Sequence, residues 1–196
     1  YLEGTKVTDL DNMAALLKGD RLFLAEKGCE AILYQILKLG LFHGDPHPGN
    51  VLILGHDQIG FLDFGIVGHL DDHTREAMIL VLSAIFKRDL DRFIRYLLVI
   101  GTATRPIDRR AFRADALLFM DTCVGIEKQN LEVGRMLIRF LELLRQYGLR
   151  IPANLVLLIK SIITIEGVGI MLSPEFNITN VLAPYVSDLV AQQLQP

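Results

Sequence analysis

The sequence has no tryptophan and only two cysteines among its 196 residues. Cys29 and Cys123 stand far apart and form no C-x-x-C pair. That usage indicates neither a disulfide framework nor a zinc site, and it fits a reducing compartment. An excess of one charge is also missing. The 20 Lys and Arg against 23 Asp and Glu leave a net charge of −3, which gives no reason to expect nucleic acid. There is no internal repeat, no low-complexity segment and no secretory leader at Tyr1. The longest apolar run, 151–172, is broken by Lys160 and Glu166. A Lys costs roughly 2.5–3.5 kcal/mol at a bilayer centre, so a buried or interfacial helix is expected there rather than a span. What remains is 51% hydrophobic and 22% charged, which suits one globular domain or slightly more.

Against this background one segment is dense in chemistry. His43-Gly44-Asp45-Pro46-His47-Pro48-Gly49-Asn50 is followed by a short apolar pair of runs and then by Asp63-Phe64-Gly65. A kinase catalytic loop reads H-R-D-x-x-x-x-N and is followed later by D-F-G. In that chemistry the first Asp accepts or orients the hydroxyl proton, and the Asn and the second Asp hold magnesium. Magnesium is a hard cation that takes oxygen ligands, so an amide and a carboxylate on neighbouring loops suit it and leave room for phosphate oxygens. Pro46 and Pro48 fix φ at two points and disfavour helix at Asp45 and His47, which makes the loop extended and stiff. Gly49 permits a bend before Asn50.

Val51-Leu52-Ile53-Leu54 and Ile59-Gly60-Phe61-Leu62 are β-favouring runs separated by Gly55-His56-Asp57-Gln58, which has turn composition. This predicts a hairpin that returns Asp63 to the side of Asn50. The flanks predict helices. Thr8-x-x-Asp11 resembles a capping box opening a helix through Leu17. A longer helix over 21–39, with Leu33, Ile36, Leu37 and Gly40 on one stripe, ends at Gly40 and feeds the loop. Asp71 and Asp72 read as N-cap residues, and helices follow near 72–88, 89–100, 109–124, 131–147, 152–172 and 178–194. Two of them carry regular apolar stripes, Leu90-Phe93-Ile94-Leu97-Leu98 and Leu137-Phe140-Leu141-Leu144.

H-G-D-P-H-P-G-N, the hairpin, L-D-F-G-I-V-G and L-D-D-x-T-R together resemble the UbiB family, also called aarF-domain or ADCK-type atypical kinases. Tyr1-Leu2-Glu3-Gly4-Thr5-Lys6-Val7 is similar to the family's interlobe segment. Tyr147-Gly148-Leu149-Arg150-Ile151-Pro152 and Thr164-Ile165-Glu166-Gly167 resemble its C-terminal helical region. Gly44, where the family more often has Ala, is a small departure. The resemblance implies a mainly α, protein-kinase-like C-lobe with one short β-hairpin carrying the metal-binding loops and no N-lobe. Residues 1–7 would be the linker remnant, 8–70 the C-lobe core and 71–196 the family's helical region. Asp45 is then the catalytic or hydroxyl-orienting carboxylate, and Asn50 and Asp63 are the magnesium ligands. Asn50 and Asp63, with His47 and Gly65, are expected around bound ATP.

The chain has no G-x-G-x-x-G, and too few residues precede the loop to build a nucleotide lobe. It is expected to be the C-terminal part of a longer protein, carrying half an ATP site. No A-P-E follows Asp63-Phe64-Gly65, so space for a peptide platform is lacking and a small molecule, a lipid or water is the expected acceptor. The resemblance further implies magnesium and ATP as cofactors and a role in ubiquinone biosynthesis or lipid homeostasis. It also implies membrane-associated quinone-biosynthesis partners, at the inner face of the bacterial membrane or in a mitochondrion or plastid. Two alternatives stand beside it. One is a phosphotransferase of the aminoglycoside or choline kinase type; the other is a nucleotide-binding pseudokinase scaffold.

Other residues have structural expectations. His43 is expected to orient the loop or pack beneath it, and His47 to be structural or to meet phosphate. His56, His69 and His73 are expected in surface or turn positions, Phe64 in the core, and Glu166 buried beside a basic partner. Asn177-Ile178-Thr179 matches a glycosylation sequon that an intracellular protein would not use.

Overall fold

The computed structural model describes residues 2–12, 21–124 and 133–192. Helix α1 covers Arg21–Tyr34 and widens into a π-helical turn at Gln35–Leu39. Gly40 stops it with φ of 66°, a left-handed conformation, and a Cβ there would meet the Leu70 carbonyl oxygen at 2.9 Å. The predicted stripe holds: Leu33, Ile36 and Gly40 are buried and Leu37 is half-buried. The expected N-terminal helix is instead a 3-10 segment, Val7–Asn12, interrupted at Asp9; its predicted continuation to Leu17 lies outside the described residues.

Strands β1 (Thr5–Lys6), β2 (Leu41–His43), β3 (Val51–Ile53), β4 (Ile59–Phe61) and β5 (Val67–His69) frame the motif. The hairpin forms as predicted, with Val51 opposite Phe61 and Ile53 opposite Ile59. Beyond it, β1 adds to β3 through Thr5 opposite Ile53. β2 pairs antiparallel with β5, placing His43 opposite Val67. The chain therefore enters and leaves the motif side by side. Gly68 makes this possible, because a Cβ there would lie 2.1 Å from the Phe42 ring. A third small sheet joins β6 (Thr102–Ala103) to β7 (Leu149–Arg150). One hairpin was expected, and among the described residues three small sheets are found. The added strands are two or three residues long and take distant partners, so they leave no alternation to read.

The rest is helical: α2 (Asp72–Phe86), α3 (Leu90–Ile100), α4 (Arg109–Val124), α5 (Val133–Gln146), α6 (Ala153–Leu172) and α7 (Ile178–Gln192). Asp71 is the N-cap of α2; its carboxylate accepts the Thr74 amide at 2.8 Å and the Thr74 hydroxyl at 2.7 Å. Those bonds hold its carboxyl below the ordinary value. Asp89 caps α3 likewise by accepting the Arg92 amide at 2.9 Å. The sequon at Asn177 has a structural use, since its side-chain oxygen accepts the Thr179 amide at 2.9 Å just as α7 begins.

Two apolar clusters hold the elements together. One gathers Leu24, Ile32, Phe42, Val51, Leu158 and Ile165 from α1, β2, β3 and α6. The other joins Phe93, Leu97, Phe112, Met120 and Leu144 from α3, α4 and α5. Each such side chain contributes roughly 1.5–3 kcal/mol on burial. Among the described residues α6 is the one helix long and apolar enough to cross a membrane. Here it lies against α1 with Leu155, Leu158, Ile159, Val168 and Leu172 buried, as a core helix does.

Glu166 on α6 is buried, as expected, and its carboxylate accepts the amides of Val133 at 2.8 Å and Gly134 at 2.5 Å. These are free N–H groups of the first turn of α5, where the helix dipole favours an anion. Gly134 allows the approach, because a Cβ there would stand 2.5 Å from Oε2. Glu166→Ala is expected to destabilise the protein by about 2–4 kcal/mol, since two buried donors lose their acceptor, with Glu166→Gln costing less. Urea unfolding measures this, and an alanine variant as stable as the parent would deny the cap its role.

Candidate functional site

β2 carries the chain to His43, whose side chain is fully buried. Its Nδ1 accepts the Asp45 amide at 3.1 Å, which assigns the proton to Nε2, and Nε2 donates to the Leu62 carbonyl at 2.8 Å. One ring thus ties the start of the loop to the end of the hairpin. This is the orienting role expected of His43. Gly44 adds a second tie by donating its amide to the Ile66 carbonyl at 2.9 Å.

Past Asp45 the loop turns on itself. The His47 amide donates to the Asp45 carbonyl at 2.8 Å, and the Asn50 amide donates to the His47 carbonyl at 2.8 Å. His47 is extended, with φ −69° and ψ 159°, and its Nδ1 accepts the Gly49 amide at 3.1 Å to cap the 3-10 turn Pro48–Asn50. The Asn50 side chain donates through Nδ2 to the Asp45 carbonyl at 3.3 Å. Its amide oxygen makes no hydrogen bond among the described residues.

The hairpin brings the third polar side chain back. Leu62 donates its amide to the Asn50 carbonyl at 2.8 Å, so Asp63 stands one residue beyond the cross-strand partner of Asn50. Asp63 is exposed and has φ of 55°, a left-handed conformation rare outside glycine. Its short side chain makes that conformation tolerable, because Oδ1 accepts the Gly65 amide at 3.2 Å.

Phe64 corrects the sequence reading. It was expected in the core, yet it is 55% exposed. Its ring stands 4.8 Å from that of His43, so the buried place beneath the loop is filled by the histidine and the phenylalanine lies over it. His56, His69 and His73 are exposed, as expected. Both cysteines are buried, and burial pushes each thiol up to about 12; at Cys29 the Glu166 and Glu30 charges add to it.

Sequence reasoning missed two residues. Lys160 of α6 places Nζ 3.0 Å from Asp45 Oδ1. Ser161, fully buried, donates its hydroxyl to the His43 carbonyl at 2.8 Å. Leu157, one turn earlier, lies close enough that a Cβ on Gly44 would meet it at 3.0 Å. The spacing of 157, 160 and 161 on an otherwise apolar helix was the available signal. A cleft of about 730 Å³ between α5, β7 and α6, lined by Leu141, Leu144, Arg145 and Arg150, reaches Leu157 and Lys160 of α6. Among the described residues no three His, Cys, Asp or Glu side chains converge as a metal cage.

Comparison with known proteins shows the family. The family model of an ABC1 atypical kinase-like domain matches residues 1–97, and that of a UbiB helical domain matches residues 118–177. The chain is 30% identical over 192 residues to Activity of BC1 complex kinase 7, chloroplastic, of Arabidopsis thaliana, covering 97% of this chain and 27% of that protein. It is 28% identical over 197 residues to a probable protein kinase UbiB of Pseudomonas fluorescens, covering 98% of this chain and 37% of that one. A Mycobacterium tuberculosis protein solved in complex with erythromycin shares the fold, with a TM-score of 0.58 at 16% identity over 93% of this chain and 47% of its own. The chain thus spans between 27% and 37% of the length of these two curated relatives. With its loop, its hairpin and its helical region all matched, the chain belongs to the UbiB, or ABC1, family of atypical kinases.

Proposed function

We propose that this chain supplies the catalytic and metal-binding half of a magnesium-ATP site in a phosphotransferase or ATPase. The observation that carries the reading is the bonded unit formed by Asp45 and Asn50, to which the hairpin returns a left-handed Asp63. The donor set fits magnesium brought in by a nucleotide: one amide oxygen and one carboxylate, both hard, too few to form a cage without phosphate oxygens. Asn50 and Asp63 would hold that ion, which neutralises charge on the phosphates. His47 and Gly65 border the same loops and would face the phosphates.

In the reaction an acceptor oxygen bonds to the γ-phosphorus while the bond from that phosphorus to the β-bridging oxygen breaks. ADP leaves, and the acceptor proton passes to the Asp45 carboxylate. After Gly65 the chain runs directly into β5 and then α2 at Asp72, which leaves no segment for docking a peptide. A small molecule, a lipid or water is therefore the acceptor we favour. Family membership supports extending this to isoprenoid quinone biosynthesis or lipid homeostasis, with membrane-associated partners.

Calorimetry on the full-length protein tests the reading. ATP should bind with magnesium present and lose its affinity in EDTA, while this chain alone should bind weakly or undetectably. Magnesium-independent binding by the full protein, or submicromolar binding by this chain, would overturn it.

A further inference from the structure

The catalytic loop is gripped from outside its own motif. Three residues on one face of α6 meet three consecutive residues of the loop. Leu157 lies against Gly44, Lys160 pairs with Asp45 at 3.0 Å, and Ser161 bonds the His43 carbonyl at 2.8 Å. The residues between Asp45 and Asn50 are Pro-His-Pro-Gly, so the loop carries no lysine or arginine of its own. A cation beside Asp45 therefore has to come from elsewhere, and α6 supplies one from 115 residues downstream.

We propose that Lys160 is a positioning residue for Asp45, the contact through which the helical region sets the competence of the catalytic loop. The inference rests on Asp45 being the reacting carboxylate. Both partners are reachable by solvent, with side-chain exposures of 51% for Lys160 and 28% for Asp45. A pair that wet contributes little to stability. Its consequence is geometric. A carboxylate left with free rotation about its side-chain bonds spends less time aimed at an incoming hydroxyl, and small misplacements of a reacting group are costly to rate. α6 is well placed to impose that geometry. Ser161 fixes the backbone two residues before Asp45, and Glu166 anchors the same helix to the first turn of α5. Any movement of α6 along its axis would move Nζ relative to Oδ1.

The test uses ATP hydrolysis by the full-length protein with the variants Lys160→Met and Lys160→Arg, alone and combined with Asp45→Asn. Lys160→Met should lower kcat on the order of 10-fold, leave KM for ATP within about twofold, and leave the melting temperature unchanged. Lys160→Arg, which keeps a cation within reach, should restore most of the rate. In the Asp45→Asn background Lys160→Met should add no further loss, because its effect runs through that carboxylate. Three results would overturn the inference: an unaltered kcat, a loss that arginine does not relieve, or losses that multiply in the double variant. The outcomes separate cleanly from the reading beneath them. Asp45→Asn with full activity sinks the catalytic carboxylate itself. Asp45→Asn slow but Lys160→Met at full rate sinks only the role of Lys160.

Discussion

Asp63→Ala in the full-length protein is expected to abolish magnesium-dependent nucleotide binding. The reason lies in how few oxygen donors the loops offer. Asp63 Oδ1 is engaged by the Gly65 amide at 3.2 Å, and the second oxygen makes no bond among the described residues. Removing the carboxylate leaves an amide oxygen from Asn50 as the remaining proposed ligand, too little to hold a strongly hydrated cation. The backbone supplies a control. At φ of 55° alanine is strained by roughly 1–2 kcal/mol, whereas asparagine tolerates that region and can still accept from Gly65. Asp63→Asn should therefore fold like the parent and still bind magnesium-ATP poorly. Calorimetry with and without magnesium decides the matter. Unchanged magnesium-dependent affinity in Asp63→Ala would remove this residue from the metal site.

Asp45→Asn is expected to leave nucleotide binding largely intact and to slow turnover on the order of 10²-fold or more, the range associated with a positioned proton acceptor. The structure makes this substitution clean. The loop is held by the Asp45 amide, which donates to the His43 ring, and by the Asp45 carbonyl, which accepts from the Asn50 side chain and the His47 amide, so Asp45 takes part through its main chain alone. An isosteric amide preserves them. It removes the negative charge and basicity at one point, together with the ion pair to Lys160. A large rate effect would then report chemistry rather than a collapsed loop. Equal steady-state turnover in variant and parent would exclude Asp45 from proton transfer.

Much of the architecture was legible because its signals are local. α1 was readable from its stripe and from Gly40, α2 from Asp71, and α3 from the helical spacing of Leu90, Phe93, Ile94, Leu97 and Leu98. The hairpin could be read from two apolar runs around a turn. Other features were hidden for identifiable reasons. β1 and β6 have two residues each, and their partners lie 48 positions away in the register of Thr5 with Ile53 and of Thr102 with Arg150. No periodicity survives at that length. Phe64 looked like core because it is large and apolar, but burial depends on what lies above it, and His43 had already taken the inner place. Glu166 was recognisable as a buried carboxylate; that it answers the first turn of a different helix was not.

The amino-acid sequence by itself determined the long helices and the hairpin, and it singled out Asp45, Asn50 and Asp63 as the residues on which the proposed chemistry rests. Caps, proline-stiffened loops and apolar periods act over a few residues, so they can be read without coordinates. Only the tertiary structure decided that His43 buttresses this loop through Leu62, and that α6 meets it with Leu157, Lys160 and Ser161. The bond from Ser161 to His43 spans 118 positions. A contact of that range exists because two apolar faces, those of α1 and α6, bury each other and bring their polar residues along.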